Sequence, residues 1–454
     1  MRDILAIDVG TSALKAGVFS PDLVERATTR RPYPLVLRGD GTAEISPHQW
    51  WNALLQGCRD LNEYLSAVGV ISLAVTSPGL VAMAEDGSAL TPAILFMDGR
   101  SHRQARWIRE RVGDERFLRE TCNLPVSGGS SLSSIIWIRE NQPAIWEATA
   151  RFGHCNTYMT HTMTGCWAID PSTTSITGLY NTARNDLTWN HDVLALSAIP
   201  ETKLPPLLPS YAPVGRVLAP VADELGVPRD CTVLCGGNDA VLACLSGGVT
   251  EPGDISNIHG TCEITAVCLD AAMAAPGFNV RCHVIPNRWM TFFVLNTGGQ
   301  ALEWFHTVFC RDMTAEDFFN DYVPSTIFNA FSSRDADRLE AELPGYVPFL
   351  QGSRYSLERL TASFTGLTLA TTREQMLLAL LRGSALYHGQ HLKDLATRVK
   401  LSKEVVVTGG AGRIKGMLDV KRRWMGEFEY KYENQSSLGG AAMLGQFYQT
   451  KRYP

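Results

Sequence analysis

Twice along this chain an apolar strand runs into a short polar turn and returns as a second apolar strand. Near the N-terminus the stretch is DILAIDVGTSALKAGVF (3–19), and past residue 250 it is DISNIHGTCEITAVCLD (254–270). Taken alone, either stretch reads equally well as an ordinary β-hairpin with a polar turn. The recurrence is what constrains the fold, because it predicts two similar halves that each open on antiparallel strands.

The segments between the two hairpins fill in the first half. A third extended run, LVERATTRRPYPL (23–35), follows the first hairpin. Then SPHQWWNALLQGCRDLNEYLSAV (46–68) places apolar residues at three and four spacing behind Ser46 as a helix cap, and GVISLAVTS (69–77) returns as a buried strand. The order is β-β-β-α-β, opening a mixed sheet. From Arg100 to about Trp189 the pattern is mainly helical with small-residue loops, as expected of an insertion that walls a pocket. DCTVLCGGNDAVLACLSGGV (230–249) then reads as strand, Gly-Gly-Asn-Asp turn and helix. The second half closes with a long helix in 374–399, strand, glycine turn and helix in 404–424, and a small-residue helix, SSLGGAAMLGQF (436–447). Glycine and proline in SGGVTEPG (246–253) mark a hinge near Gly247 to Pro252, so the expected domains are 1–248 and 249–454.

A chain of 454 residues is long enough for two or three domains with large apolar cores, and a two-domain protein with a cleft is the default. With 45% hydrophobic and 19% charged residues and a net charge of −5, it offers no basic stripe, which argues against nucleic acid and anionic lipid as partners. The chain enters a strand at once, and no segment holds about 18 uninterrupted apolar residues, so a cytoplasmic protein without membrane association is expected. The 11 cysteines include no CxxC pair, which suits reduced buried thiols better than a disulfide framework or a zinc site. His388 and His391 in LYHGQH share a helical spacing, but no third ligand stands nearby in sequence.

Four polar turns follow apolar strands: DVGTSALK (8–15), GGNDA (236–240), HGTCE (259–263) and TGGAGRIKG (408–416). Glycine admits a phosphate close to the backbone, hydroxyls and amides donate to its oxygens, and lysine offsets its charge. Together the four turns point to a nucleoside triphosphate. Neither a Walker A sequence nor a clean GxGxxG is present, so P-loop and dinucleotide folds lack support.

In their order these motifs resemble the FGGY carbohydrate kinases, the group containing xylulokinases and glycerol kinases. AIDVGTSALKAGVF resembles the first phosphate motif, GTAEISPHQWW the segment with Glu, Pro and paired Trp, and PAILFMDGRS the pocket strand that ends in Asp-Gly-Arg. SIIWIRENQPAIW is similar to the helical insertion, CGGNDAVLACLSGGV to the stretch with the catalytic aspartate, HGTCE to the second phosphate motif, and TGGQALEWF to the nucleotide-side helix, while FTGLTLATTREQMLLALLRGSALYHGQHL and VVVTGGAGR complete the C-terminal domain in the family's order. The resemblance covers nearly the whole chain. It implies a two-domain, duplicated, actin-like (ribonuclease H-like) α/β ATPase fold with a central interdomain cleft.

The resemblance also implies roles. Asp239 matches the general base that takes the proton of a sugar hydroxyl, with a helix N-cap as its plain structural reading. Asp8 matches the carboxylate that holds Mg2+. Thr11, Ser12 and Lys15 would face the ATP phosphates, Gly260 and Thr261 would grip them from the other domain, and Gly299, Gly409 and Gly410 would let the adenosine lie on backbone. Asp98 and Arg100 match the pocket motif, although Asp-Gly-Arg before a helix also suits a cap and a salt bridge. The expected partner is a small sugar or polyol, and the resemblance leaves room for a homodimer.

The sugar side departs from the family. Where relatives carry polar readers of substrate hydroxyls, this chain has Pro78, Gly79 and Leu80; Ala240 follows the catalytic aspartate, and Ser134 replaces an expected lysine. Gly79 and Leu80 are thus expected to form a less polar substrate wall. Two readings remain at this level: an ATP-dependent kinase of a sugar, polyol or related metabolite, and a non-catalytic nucleotide-binding regulator of the same fold.

Overall fold

The computed structural model describes residues 1–333, 336–358, 360–434 and 436–452. They form two compact units. Unit 1 takes in Met1–Thr250, Asp270–Met290 and the chain from Ser436 onward, and unit 2 takes in Glu251–Leu269 and the chain from Thr291 up to Ser436. The first crossing lies inside the glycine- and proline-bearing segment, while the return of 270–290 and of the C-terminal helix to unit 1 departs from a single cut at residue 248.

Unit 1 is built on β1 (Asp3–Val9), β2 (Ala13–Phe19), β3 (Glu25–Pro32), helix α1 (Pro47–Asp60), β4 (Val68–Val75), β5 (Gly79–Met83), β6 (Pro213–Arg216), β7 (Thr232–Leu234) and helix α2 (Asp239–Ser246). Its main sheet runs β6-β7-β4-β1-β2-β3. All seven residues of β1 and all eight of β4 are buried, as two-sided cover demands of a central parallel pair. Leu5, Ile7 and Val9 of β1, Leu14, Ala16 and Val18 of β2, and Val68, Ile71, Leu73 and Val75 of β4 share one core with Trp50, Ala53 and Leu54 of α1. Each Val, Leu or Ile side chain withdrawn from water contributes about 1.5–3 kcal/mol to holding the sheet. Strand β5 belongs to a second, smaller sheet, where Gly79 pairs with Leu95 and Leu80 with Ile94.

Unit 2 repeats the plan with β8 (Ile255–His259), β9 (Glu263–Leu269), β10 (Trp289–Leu295, which belongs to unit 2 from Thr291 on), helix α3 (Gly299–Phe309), helix α4 (Arg373–Ala396), β11 (Glu404–Thr408), helix α5 (Met417–Trp424) and β12 (Glu429–Tyr432). Its strands run β10-β9-β8-β11-β12, matching β3-β2-β1-β4-β7 position for position. The hairpin β1/β2 is antiparallel and β1/β4 parallel; likewise β8/β9 is antiparallel and β8/β11 parallel. The duplication seen in the two hairpins therefore extends to whole sheets.

Helix α6 (Ser437–Thr450) closes unit 1 against α2, β1 and β4. Its small residues explain the fit. A Cβ on Gly440 would sit 2.0 Å from the Leu242 carbonyl oxygen, and one on Gly445 would sit 2.6 Å from Ile4 Cγ2, so the helix reaches this depth only with glycine at both positions. Ser436 caps it, its Oγ accepting from the Gly439 N–H at 3.0 Å while its own N–H donates to Ser246 Oγ at 3.0 Å.

Candidate active site

In unit 1 the chemistry gathers where β1 and β4 end. Asp8 pairs in register with Ala74 of β4, and Gly237 pairs with Ala74 from the opposite side. Ligands of open α/β sheets bind at such carboxyl ends, where neighbouring connections diverge. Asp8 is buried at 4% exposure, and burial raises its pKa against the opposing pull of Lys15, whose Nζ lies 3.4 Å away, and of a Ser437 hydrogen bond. The turn itself is braced: Tyr33 donates its hydroxyl to the Gly10 carbonyl at 2.5 Å and its N–H to the Ser12 carbonyl at 3.1 Å. Thr11 Oγ1 lies 3.4 Å from Thr76 Oγ1, joining this turn to the one after β4, while Ser12 and Lys15 are exposed.

Asp239 opens α2. The helix cap is its neighbour Asn238, whose Oδ1 accepts from the Val241 N–H, so Asp239 occupies the first helical position and the capping role expected of it belongs to Asn238. One oxygen of Asp239 accepts from the Asn238 amide at 2.9 Å and from the Ala240 N–H at 2.7 Å. Behind it lies a buried chain of bonds. The Asn238 N–H donates to Ser172 Oγ at 2.9 Å, and Ser172 Oγ–H donates to Asp170, which also receives the Ser172 N–H and the Ser210 hydroxyl. Burial, and after it the charge of Asp8, push the Asp239 carboxyl up to about 7; Arg281 and the two local hydrogen bonds pull against them. A half-buried carboxylate titrating near neutral pH, held in one orientation, is the form a general base takes.

The remaining substrate-side candidates are placed as follows. Asp98 is 1% exposed and fully engaged, accepting from the Ala43 N–H, from the Arg100 N–H and from the Arg100 guanidinium. Arg100 also reaches Glu44 at 2.6 Å and lies over Trp137, so the Glu and Asp-Gly-Arg motifs meet in one ion cluster. Gly79 and Leu80 are buried in β5, Leu80 at 2% exposure. Ser134 is buried within a group of hydroxyls around Ser101.

Unit 2 holds a cavity of about 660 Å³ lined by Gly260, Thr261, Gly299, Glu303, Gly410, Arg413 and Lys415 among others. Four of the glycine and threonine positions expected for nucleotide binding thus share one wall. Gly409 lies beneath it with φ +94°, where a Cβ would stand 2.5 Å from the His259 carbonyl oxygen. The Gly299 N–H donates to the Gly260 carbonyl, and the Gly298 N–H to the Thr261 carbonyl, each at 2.8 Å. The turn is therefore sewn to the start of α3, with exposed Arg413 and Lys415 at the rim to attract an anion.

Both ends of the 260–262 turn root in a buried ionic knot. Glu263 meets Lys421 Nζ of α5 at 2.5 Å and the Asn257 amide at 3.1 Å, and His259 and His388 each lie 3.7 Å from it. Glu263 is held far below its usual range by these neighbours against the effect of burial, and burial lowers both histidines, His259 to about 3 and His388 to about 4. His388 is spent in this knot and against Thr265, and His391 stacks on Phe293, so the pair is not a metal site. Among the described residues no group of three His, Cys, Asp or Glu is arranged to hold a metal.

Sequence reasoning missed Tyr33, Ser77, Asp170, Ser172, Asn238 and Arg281. Five carry no local motif. Only Asn238, adjacent to Asp239, had a signal: a strongly preferred capping residue directly before the helix.

The family model described as "FGGY family of carbohydrate kinases, N-terminal domain" matches residues 3–246. Xylulose kinase of Bacillus subtilis is 25% identical over 458 residues, covering 98% of this chain and 88% of that one. Gluconokinase of the same organism is 24% identical over 387 residues, covering 84% and 74%. Among solved structures, xylulose kinase from Rhodospirillum rubrum superposes with a TM-score of 0.90 at 23% identity, covering 100% of this chain and 91% of that one. Plasmodium falciparum glycerol kinase with ADP gives 0.85 at 17% identity over 100% and 91%. These likenesses identify the fold as the two-domain, actin-like α/β fold.

Proposed function

The chain belongs to the FGGY family of carbohydrate kinases, and from that premise we propose that it transfers the γ-phosphoryl group of ATP to a hydroxyl of a sugar, polyol or related metabolite in the cytoplasm. The observation that carries the reading is Asp239, a half-buried carboxylate oriented by Asn238 and raised to about 7. Such a group orients the acceptor hydroxyl and takes its proton as the bond to phosphorus forms, which is the main task left to a side chain in a loose phosphoryl transfer.

Thr11, Ser12 and Lys15 on the first turn bind the β- and γ-phosphates through hydroxyls and one charge. Gly260 and Thr261 bind them through backbone, and Gly299, Gly409 and Gly410 support the adenosine beside the 660 Å³ cavity. Asp8 fits a cation, being a buried carboxylate whose only charged partner within 4 Å, among the described residues, is Lys15. Mg2+ bound there would neutralise charge on the phosphates and keep most of its water shell. Gly79, Leu80, Asp98 and Arg100 shape the acceptor side, the last two by fixing the loop between Glu44 and Trp137.

An assay of ADP release with Mg-ATP over a panel of ketoses, polyols and sugar acids tests the proposal. Turnover that requires one of these acceptors is expected. Tight ATP binding without turnover on any acceptor would instead support a nucleotide-binding regulator.

A further inference from the structure

Asp170 caps the short helix Pro171–Thr174 and is wholly buried. A cap needs one acceptor for one N–H, and asparagine or serine serves as well as aspartate. This carboxylate accepts far more than a cap requires. Its Oδ2 receives the Ser172 N–H at 2.8 Å, the Ser172 hydroxyl, and the Ser210 hydroxyl at 2.8 Å, while its Oδ1 receives the Asn156 amide at 3.2 Å. Burial raises its pKa, and only hydrogen bonds oppose that rise.

Each of the three donor residues also holds the run of chain that leads into Asp239. Ser172 Oγ accepts the Asn238 N–H at 2.9 Å, the Ser210 carbonyl accepts the Gly236 N–H at 2.9 Å, and the Asn156 amide lies 3.5 Å from the Cys235 carbonyl. One carboxylate therefore moors residues 235, 236 and 238 through three residues from separate parts of unit 1. Asn238 passes the constraint on: its amide donates to Asp239 at 2.9 Å, and its Oδ1 caps α2.

Burying a carboxylate without a cation is costly, and the cost is offset only when its lone pairs are filled. An asparagine in its place would turn an acceptor oxygen into a donor nitrogen and could not take all four bonds. Hydrogen bonds to an ionised acceptor are also shorter and about twice as strong as neutral ones, so this hub gives the 235–238 run a stiffness that a neutral cap would not. Stiffness matters where a reacting group is presented, since a misplacement of about 1 Å can cost about a hundredfold in rate.

Resting on the reading of Asp239 as the base, we propose that Asp170 is a positioning residue for phosphoryl transfer: through Ser172, Ser210 and Asn156 it fixes the 235–238 run and so holds Asp239 in the orientation that receives the acceptor proton.

The experiment measures single-turnover transfer from Mg-ATP to the acceptor that the panel assay turns over fastest, in wild type, Asp170→Asn, Ser172→Ala, Asp239→Asn and the double variants joining each of the first two to the third. Asp170→Asn and Ser172→Ala should each slow transfer by about a hundredfold and leave ADP affinity unchanged. In the Asp239→Asn background neither should slow it further, because a residue that acts through another adds nothing once that other is gone. Losses that multiply in the double variants, or wild-type transfer by Ser172→Ala, overturn the proposal and leave the kinase standing; wild-type transfer by Asp239→Asn overturns both the base and the residue said to position it. Should Asp170→Asn fail to fold, Ser172→Ala, which keeps the carboxylate, decides alone. Amide hydrogen exchange gives a readout that needs no turnover: in Ser172→Ala, faster exchange confined to peptides covering 235–240 supports the proposal. Unchanged exchange there, or faster exchange throughout unit 1, overturns it. If wild type turns over no acceptor, the kinase reading fails and the exchange result decides whether Asp170 anchors Asp239.

Discussion

At the residue scale, Asp239 as the proposed base is expected to set both activity and its pH dependence. The base acts when ionised, so kcat/KM should rise with pH through about 7 and level off above it, a limb that Asp239→Asn abolishes. The stability effect has the opposite sense. A carboxyl whose pKa is raised by folding is comfortable when protonated, so its contribution to stability declines as pH rises from the ordinary carboxylate range through about 7. Asp239→Asn, which removes the charge and keeps the shape, should therefore melt higher than wild type at pH 8, with little difference at pH 4; calorimetric melting at the two pH values checks this. On the donor side, Lys15→Ala should reduce turnover more than ADP affinity if its charge faces the transferred group as proposed; a large loss of ADP binding at unchanged turnover would misplace the lysine. Asp8, Asp239 and the turn residues were legible as candidates from the sequence because they sit beside apolar runs. Arg281 and Asp170 were not, since they act through partners 204 and 68 residues away, with Asp170 reaching Asn238 through the Ser172 hydroxyl.

At the scale of elements, glycines decide how closely neighbouring segments approach, as where the proposed phosphate turns of unit 2 meet. Gly409→Ala puts a side chain at φ +94° and 2.5 Å from the His259 carbonyl, which should cost about 1–3 kcal/mol and weaken ADP binding; equilibrium unfolding and calorimetry read the two effects. Gly440→Ala would drive a methyl to 2.0 Å from the Leu242 carbonyl and should cost about as much or more, shifting α2 and with it Asp239. The strand and helix types followed from periodicity. What the sequence hid was spatial: Asn238 rather than Asp239 caps α2, and the Asp-Gly-Arg motif closes on Glu44 from 56 residues away.

At the scale of the molecule, the two hairpins announced a duplication that the sheet orders carry through five strands in each unit. The assignment of segments to units was harder to read, because α6 looks like one more small-residue helix of the second half until its glycines are seen against Leu242 and Ile4. A chain ending before Ser436 should accordingly lose unit 1, appearing as rapid proteolysis of the N-terminal half. The most direct test of the proposed chemistry is single-turnover phosphoryl transfer by Asp239→Asn, with ADP affinity measured on the same sample. Transfer slower by about two to four orders of magnitude at unchanged ADP affinity is the expected result; transfer at the wild-type rate would contradict Asp239 as the base.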